Sequence, residues 1–203
     1  MHSVTKLAMA TVTAAGMVGA ALADTAIVVS VGESRFAAKV EDTETGRAFL
    51  AKLPLTISMT ELNGNEKYAY GVSLPTAAQY YGKIEAGDLM LYGSNCLVLF
   101  YGSAGGYSYT RIGKLVSTAG LAAAVGSGSA SVRFEKAVLK ATIKMDGNEP
   151  EVGVETNLPA SVAISKLAAT ALPVAEGGWR DFATLTETER ARCRFFKLKA
   201  ELD

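Results

Sequence analysis

Histidine is all but missing from this chain: among 203 residues the only one is His2. It lies in a leader-like segment, where Lys6 precedes an uncharged apolar run from Leu7 to Ala23. That run ends in Ala21-Leu22-Ala23, a small-residue cleavage signal directly before Asp24. The expectation is a cleaved export signal over residues 1–23 and a mature chain with no histidine. Such a chain has no Ser-His-Asp or Cys-His machinery and no histidine-ligated zinc. The leader is also a poor anchor, because a bilayer needs about 20 strongly apolar residues and this run is rich in Ala, Gly and Thr. No membrane span is expected after cleavage, and the protein is expected to be periplasmic or secreted.

Net charge is missing as well. The 20 Lys+Arg balance 20 Asp+Glu, which argues against a nucleic-acid partner that would need a basic face. Hydrophobic residues make up 49% of the chain, enough for a folded core rather than a disordered segment. Cysteine is scarce, with Cys96 and Cys193 alone. In an oxidising compartment a bridge between them would close a loop of about 100 residues, worth roughly 4–5 kcal/mol in the chain-entropy model. The alternative is that Cys96, inside an apolar run, is a small buried hydrophobe. Internal repeats and low-complexity segments are absent. Gly126-Ser127-Gly128-Ser129 lacks the strand-before, helix-after setting of a phosphate loop. No cofactor and no metal is expected.

What is present is a succession of short strand patterns. Ala26 to Val31 and Arg35 to Glu41 read as strands. Asp42-Thr43-Glu44-Thr45 then offers N-cap residues for a short helix that Pro54 stops. Leu55 to Leu62 leads into Asn63-Gly64, a tight-turn signal, and Lys67 to Leu74 follows as strand. A loop or short helix carrying Tyr80-Tyr81 precedes Leu89 to Tyr92. Leu97 to Tyr101 is continuously apolar, as expected of a strand covered on both faces. Thr110 to Val116, a short helix within Thr118 to Val125, Ser129 to Glu135 and Val138 to Met145 complete the pattern. Many strands and two short helices predict a mainly β, closed sheet over residues 24–140 rather than alternating βαβ units.

Residues 141–203 predict a partly helical extension. Ser161 to Leu172 is an amphipathic helix candidate, and Thr186-x-x-Glu189 is a capping box opening a final helix. In that helix Ala191, Phe195, Leu198 and Leu202 would form the apolar face. The stretch 179–203 is accordingly a candidate docking element for a protein partner.

Leu53-Pro54-Leu55-Thr56-Ile57-Ser58-Met59, Gly64-Asn65-Glu66-Lys67 and Ile84-Glu85-Ala86-Gly87-Asp88-Leu89-Met90-Leu91-Tyr92 form an ordered set with Leu99-Phe100-Tyr101 and Tyr107 to Leu115. In order and spacing this set resembles the bacterial cyclophilin-like family, small β-barrel relatives of the prolyl isomerases. The resemblance covers about Ala26 to Lys140. It implies a closed barrel of about eight strands with short capping helices. It does not imply isomerase activity: the Phe-His-Arg strand and the Phe-x-x-x-x-Gln-Gly-Gly stretch of true cyclophilins are absent from this sequence. Arg111 stands on a different strand of the motif, so the isomerase arginine is not carried over to it.

The eight tyrosines all lie between Tyr68 and Tyr109. Tyrosine combines a flat apolar face with a polar tip, which suits a shallow groove for a peptide or small molecule, although strands favour tyrosine in any case. Tyr101, Tyr107, Tyr109 and Arg111 flank a glycine-rich hairpin and are the candidate groove wall. Glu61 and Glu66 join them as carboxylates bracketing the Asn63-Gly64 turn beside Lys67. Buried, such a pair could do acid–base chemistry, whereas a hairpin end of this kind is ordinarily solvated. The leading expectation is an exported, non-catalytic binding module. The alternatives are a divergent peptidyl-prolyl isomerase, which needs positioning rather than covalent chemistry, and a structural protein acting through its tail.

Overall fold

The computed structural model describes residues 26–146, 149–169, 178–193 and 195–201. The expected export signal, residues 1–23, lies outside the described residues. The chain divides into two units, one built around the stretch up to Leu139 and the other from Lys140–Glu155 and Ile164–Lys199.

The first unit begins with β1 (Ala26–Val31) and β2 (Ser34–Val40), a hairpin turned at Gly32-Glu33. The helix α1 (Glu44–Ala51) starts where the Thr43 hydroxyl accepts the Gly46 N–H at 3.0 Å, satisfying one free donor of the first turn. Strands β3 (Leu55–Leu62) and β4 (Glu66–Tyr70) follow. Asn63 and Gly64 turn between them with φ of 58° and 72°, left-handed values that asparagine and glycine tolerate best. Then come β5 (Gln79–Tyr81), β6 (Asp88–Tyr92), β7 (Cys96–Phe100), β8 (Tyr107–Leu115), the short α2 (Leu121–Val125) and β9 (Ala130–Lys136). Gln79–Tyr81 is thus a strand where the sequence suggests loop or helix; it pairs with Tyr107–Tyr109 outside the ring.

Eight of these strands close a barrel in the order β2-β1-β9-β3-β4-β7-β6-β8, and β8 pairs back onto β2. Every pairing around the ring is antiparallel. Closure pairs each of the eight ring strands on both sides. The seam depends on Gly113, opposite Val40: a Cβ there would fall on the Lys39 carbonyl oxygen.

Alternation sorts the side chains. Ile27 and Val29 of β1, Leu89 and Leu91 of β6, Leu97 and Leu99 of β7, and Val132 and Phe134 of β9 fill the interior. The helices add Phe49 and Leu121 to the same core, and Phe49 meets Phe134 edge-on at 5.6 Å between ring centres. The opposite faces of β6, β7 and β8 carry a second apolar layer, made by Met90, Cys96, Val98, Phe100 and Tyr109 with Ile84. This explains the unbroken apolar run in β7, which is covered on both sides.

In the second unit β10 (Leu139–Asp146) pairs with β11 (Glu149–Thr156). Strand β12 (Ala163–Ala169) lies between β13 (Arg180–Asp181) and β14 (Phe195–Glu201). The short helix α3 (Glu187–Arg192) opens on the expected Thr186–Glu189 capping box. The α-helical extension expected from sequence is therefore corrected: among the described residues the tail is mainly strand. The physical reason is readable in β14, where Phe196, Leu198 and Ala200 alternate with Lys197, Lys199 and Glu201. That is a period of two, which ends the helix at Arg192. In β12 the period is ambiguous and pairing with two flanking strands decides it.

Candidate functional site

The outer face of β4, β7, β6 and β8 carries a cleft of about 330 Å³. Strict alternation in β4 builds one wall: Glu66, Tyr68 and Tyr70 point into it, while Lys67 and Ala69 turn towards the barrel interior. Cys96 and Val98 of β7 and Tyr109 of β8 contribute buried side chains to the lining. Tyr92 from the end of β6 and Tyr107 from the start of β8 stand at the rim with Tyr70, all three largely exposed. The β3–β4 turn adds Leu62, Asn63 and Asn65, and the loop before β8 adds Ala104. Ring pairs hold the walls: Tyr68 meets Tyr70 edge-on at 5.8 Å, and Tyr109 packs edge-on against Phe100 at 5.6 Å and tilted against Tyr92 at 5.5 Å.

Glu66 is the one lining residue with an acidic or basic side chain, and it is only 6% exposed. Burial holds its carboxyl above the usual carboxylate range, the Tyr109 hydroxyl relieves this in part, and the charge on Glu61 adds to it. The Cys96 thiol is pushed up by burial and then by the Glu66 charge, which makes it a poor nucleophile. The Tyr109 hydroxyl is pushed up for the same two reasons. Asn65 donates Nδ2 to the Ser103 carbonyl at 2.9 Å, and its buried Oδ1 accepts no hydrogen bond. The arrangement supplies flat aromatic faces, one buried carboxyl and an unmatched carbonyl oxygen.

Of the residues singled out from sequence, Glu66, Tyr107 and Tyr109 come together in this cleft. Glu61 and Tyr101 belong to a different structure. Lys67, 0% exposed, directs its ammonium to Glu61 Oε2 at 2.6 Å and to the carbonyls of Gly126 at 2.8 Å and Gly128 at 2.6 Å. The Tyr101 hydroxyl donates to the same Glu61 oxygen at 2.6 Å, and the Lys67 ammonium lies 5.3 Å from the centre of the Tyr101 ring. The hairpin end expected to be solvated is thus built around a buried lysine that ties the β3–β4 turn to the segment before β9. Burial raises the Glu61 pKa, but hydrogen bonds from Lys67, Tyr101 and the Gly64 N–H overcome this and leave it lowered. Arg111 stacks 5.2 Å from the centre of the Tyr81 ring and faces Asp88 at 3.5 Å and Glu41 at 3.9 Å. Asp88 also accepts the Glu85 N–H at 2.9 Å, which closes the turn leading into β6.

The Lys67 network has a pH signature. Burial first, then donation to Glu61, pushes the Tyr101 phenol up to about 12 from the ordinary 10.0. The folded state holds this proton more tightly than the unfolded one, so its contribution is complete below the unfolded value and lost as pH rises through the folded one. Thermal melting followed from about pH 9 to about pH 12 is expected to show a steeper loss of stability in the wild type than in Tyr101→Phe. Equal slopes would contradict the assignment.

Tyr68, Tyr70, Tyr92, Asn65 and Cys96 are cleft residues beyond those singled out from sequence as groove candidates. Their signal lies in the two-residue alternation of Glu66, Tyr68 and Tyr70, which puts all three on one face. Cys96 is buried in the barrel's outer apolar layer, and the Cys193 thiol, buried in the second unit, donates to the Glu189 carbonyl at 3.4 Å. Among the described residues no group of His, Cys, Asp and Glu is arranged to hold a metal, and no helix is long and apolar enough to cross a membrane.

A closed eight-stranded antiparallel barrel with short helices and an aromatic cleft on its outer face defines the class of this protein. A model of the Cyclophilin-like family matches residues 29–135, more than half of the chain, and the chain belongs to that family. No curated protein matches it.

Proposed function

We propose that the barrel is a binding module that takes a small molecule or a short peptide segment into the outer-face cleft without turning it over. The observation that carries this reading is the cleft's composition: five tyrosines around one buried carboxyl, beside a thiol and phenol that burial and the Glu66 charge keep protonated. Such a surface offers contact area and hydrogen-bond specificity, the two requirements of a small ligand site. The sequence adds support, since the Phe-His-Arg and Gln-Gly-Gly elements of the isomerases are missing. The test is NMR exchange spectroscopy on the protein with a short proline-containing peptide. Uncatalysed cis–trans exchange takes tens to hundreds of seconds, so any acceleration stands out. No acceleration is expected; acceleration that disappears in Tyr109→Phe would overturn the non-catalytic reading in favour of a divergent isomerase.

Export is part of the same proposal. It is supported by Lys6, the apolar run to Ala23 and the Ala21-Leu22-Ala23 signal. N-terminal sequencing of protein recovered from fractionated cells is expected to begin at Asp24. A soluble protein in the cytoplasmic fraction that begins at Met1 would contradict it.

A further inference from the structure

The composition of the cleft narrows the ligand class, an inference that rests on the cleft being the binding site. Among its lining side chains Glu66 carries an acidic group, and none carries a basic one. The cations near the β3–β4 turn are engaged elsewhere: the Lys67 ammonium sits on the opposite face of β4, against Glu61, Gly126 and Gly128. Asn65 brings a second acceptor, its Oδ1, which is buried without a donor while the other end of the amide is fixed on Ser103. A buried unmatched acceptor is costly, and a ligand N–H is the group that would satisfy it. Around these acceptors stand the tyrosine rings, whose negative faces attract cations. A volume of about 330 Å³ lies at the small end of ligand pockets, which favours a metabolite-sized molecule over a long segment.

We propose that the cleft binds a small organic ammonium ion, its N–H donors turned to Glu66 and Asn65 and its apolar body held among the tyrosines. Anions are excluded by the same features, because the Glu66 charge already opposes ionisation of Cys96 and Tyr109. The groups facing Glu66 are Tyr109 from β8, Cys96 from β7 and Glu61 across the turn, alongside Tyr68 and Tyr70 of its own strand. None supplies a positive charge, so the ligand is the missing counter-ion. Binding draws Glu66 into its ionised form, and affinity for the ammonium rises with pH as that carboxyl titrates.

Four probes with one common body test this by NMR titration of the protein: benzylammonium, benzyl alcohol, benzoate and benzyltrimethylammonium. Benzylammonium is expected to shift the amides of Glu66 to Tyr70 and Cys96 to Val98, and to bind about tenfold or more tighter than benzyl alcohol. Benzoate is expected to leave those amides unmoved, and the trimethylated probe, charged but without N–H donors, to bind at least about threefold more weakly than benzylammonium. In Glu66→Gln the preference for benzylammonium over the alcohol should fall to less than about threefold. If that variant fails to fold, the ranking of the four probes on the wild type decides alone. Equal binding of ammonium and alcohol, or any preference for benzoate, would overturn the ammonium assignment while leaving the cleft as a binding site. Equal binding of the trimethylated probe would overturn N–H donation to Glu66 and Asn65. Shifts confined to another surface, or none with any probe, would overturn the ammonium assignment and the cleft reading together.

Discussion

Replacing Lys67 by methionine is expected to destabilise the barrel by roughly 3–4 kcal/mol, read as a lowered midpoint in urea at neutral pH. The substitution keeps the aliphatic bulk and removes the ammonium. Glu61 Oε2 then loses its counter-charge and keeps only the Tyr101 hydroxyl, and the Gly126 and Gly128 carbonyls lose their donor. A fully buried lysine is costly to desolvate, so its presence makes sense only if these three acceptors compensate it. Glu61→Gln should cost a comparable amount, about 3 kcal/mol, because it leaves the fully buried Lys67 ammonium without a counter-charge although the amide still offers an oxygen. In the double variant the combined loss should be clearly smaller than the sum of the two, since both act on one contact. A loss below about 1 kcal/mol for Lys67→Met would show that the network does not hold the barrel end.

Replacing Phe134 by alanine is the other large expected effect, a loss of about 3–5 kcal/mol in the same measurement. Phe134 is fully buried at the meeting of β1, β3 and β9, opposite Val29 on one side and Leu55 on the other. It also carries the edge-on contact with Phe49 that joins α1 to the barrel interior. Removing the ring opens a cavity that neighbouring strands, fixed by ladders on both sides, cannot close. Tyr107→Ala provides the contrast: its ring is 59% exposed at the cleft rim, so stability should change by less than about 1 kcal/mol. Stability and cleft chemistry can therefore be separated by mutation.

The barrel is legible in the sequence because its determinants are local. Alternating apolar residues, the Asn63-Gly64 turn, the Thr43 cap and the unbroken run of β7 each dictate structure over a few residues. Closure is not local: it joins β2 to β8 through Val40 and Gly113, far apart in sequence. The cleft is legible in part for the same reason. Tyr107 and Tyr109 are visible as a tyrosine-rich hairpin, but their partners on β4 and β7 arrive only through strand pairing. Lys67 reads as solvated because charge at a hairpin end is usually exposed. Its place in the alternation, beside inward-facing Ala69, is the contrary signal. The tail reads as helix because Phe195 to Glu201 fits a helical stripe loosely, and the capping box before it favours helix. The same residues fit a strand strictly, and the strand prevails.

If the outer-face cleft is where this barrel meets its ligand, the most direct test is amide-shift mapping of the wild type and Tyr107→Ala against a set of small amine-bearing and neutral fragments. The expected result is that the fragments that bind perturb the stretches Leu62 to Tyr70, Tyr92 to Val98 and Ala104 to Tyr109, and that Tyr107→Ala weakens them without unfolding the protein. Fragments that bind reproducibly at another surface, with affinities indifferent to Tyr107, would contradict it.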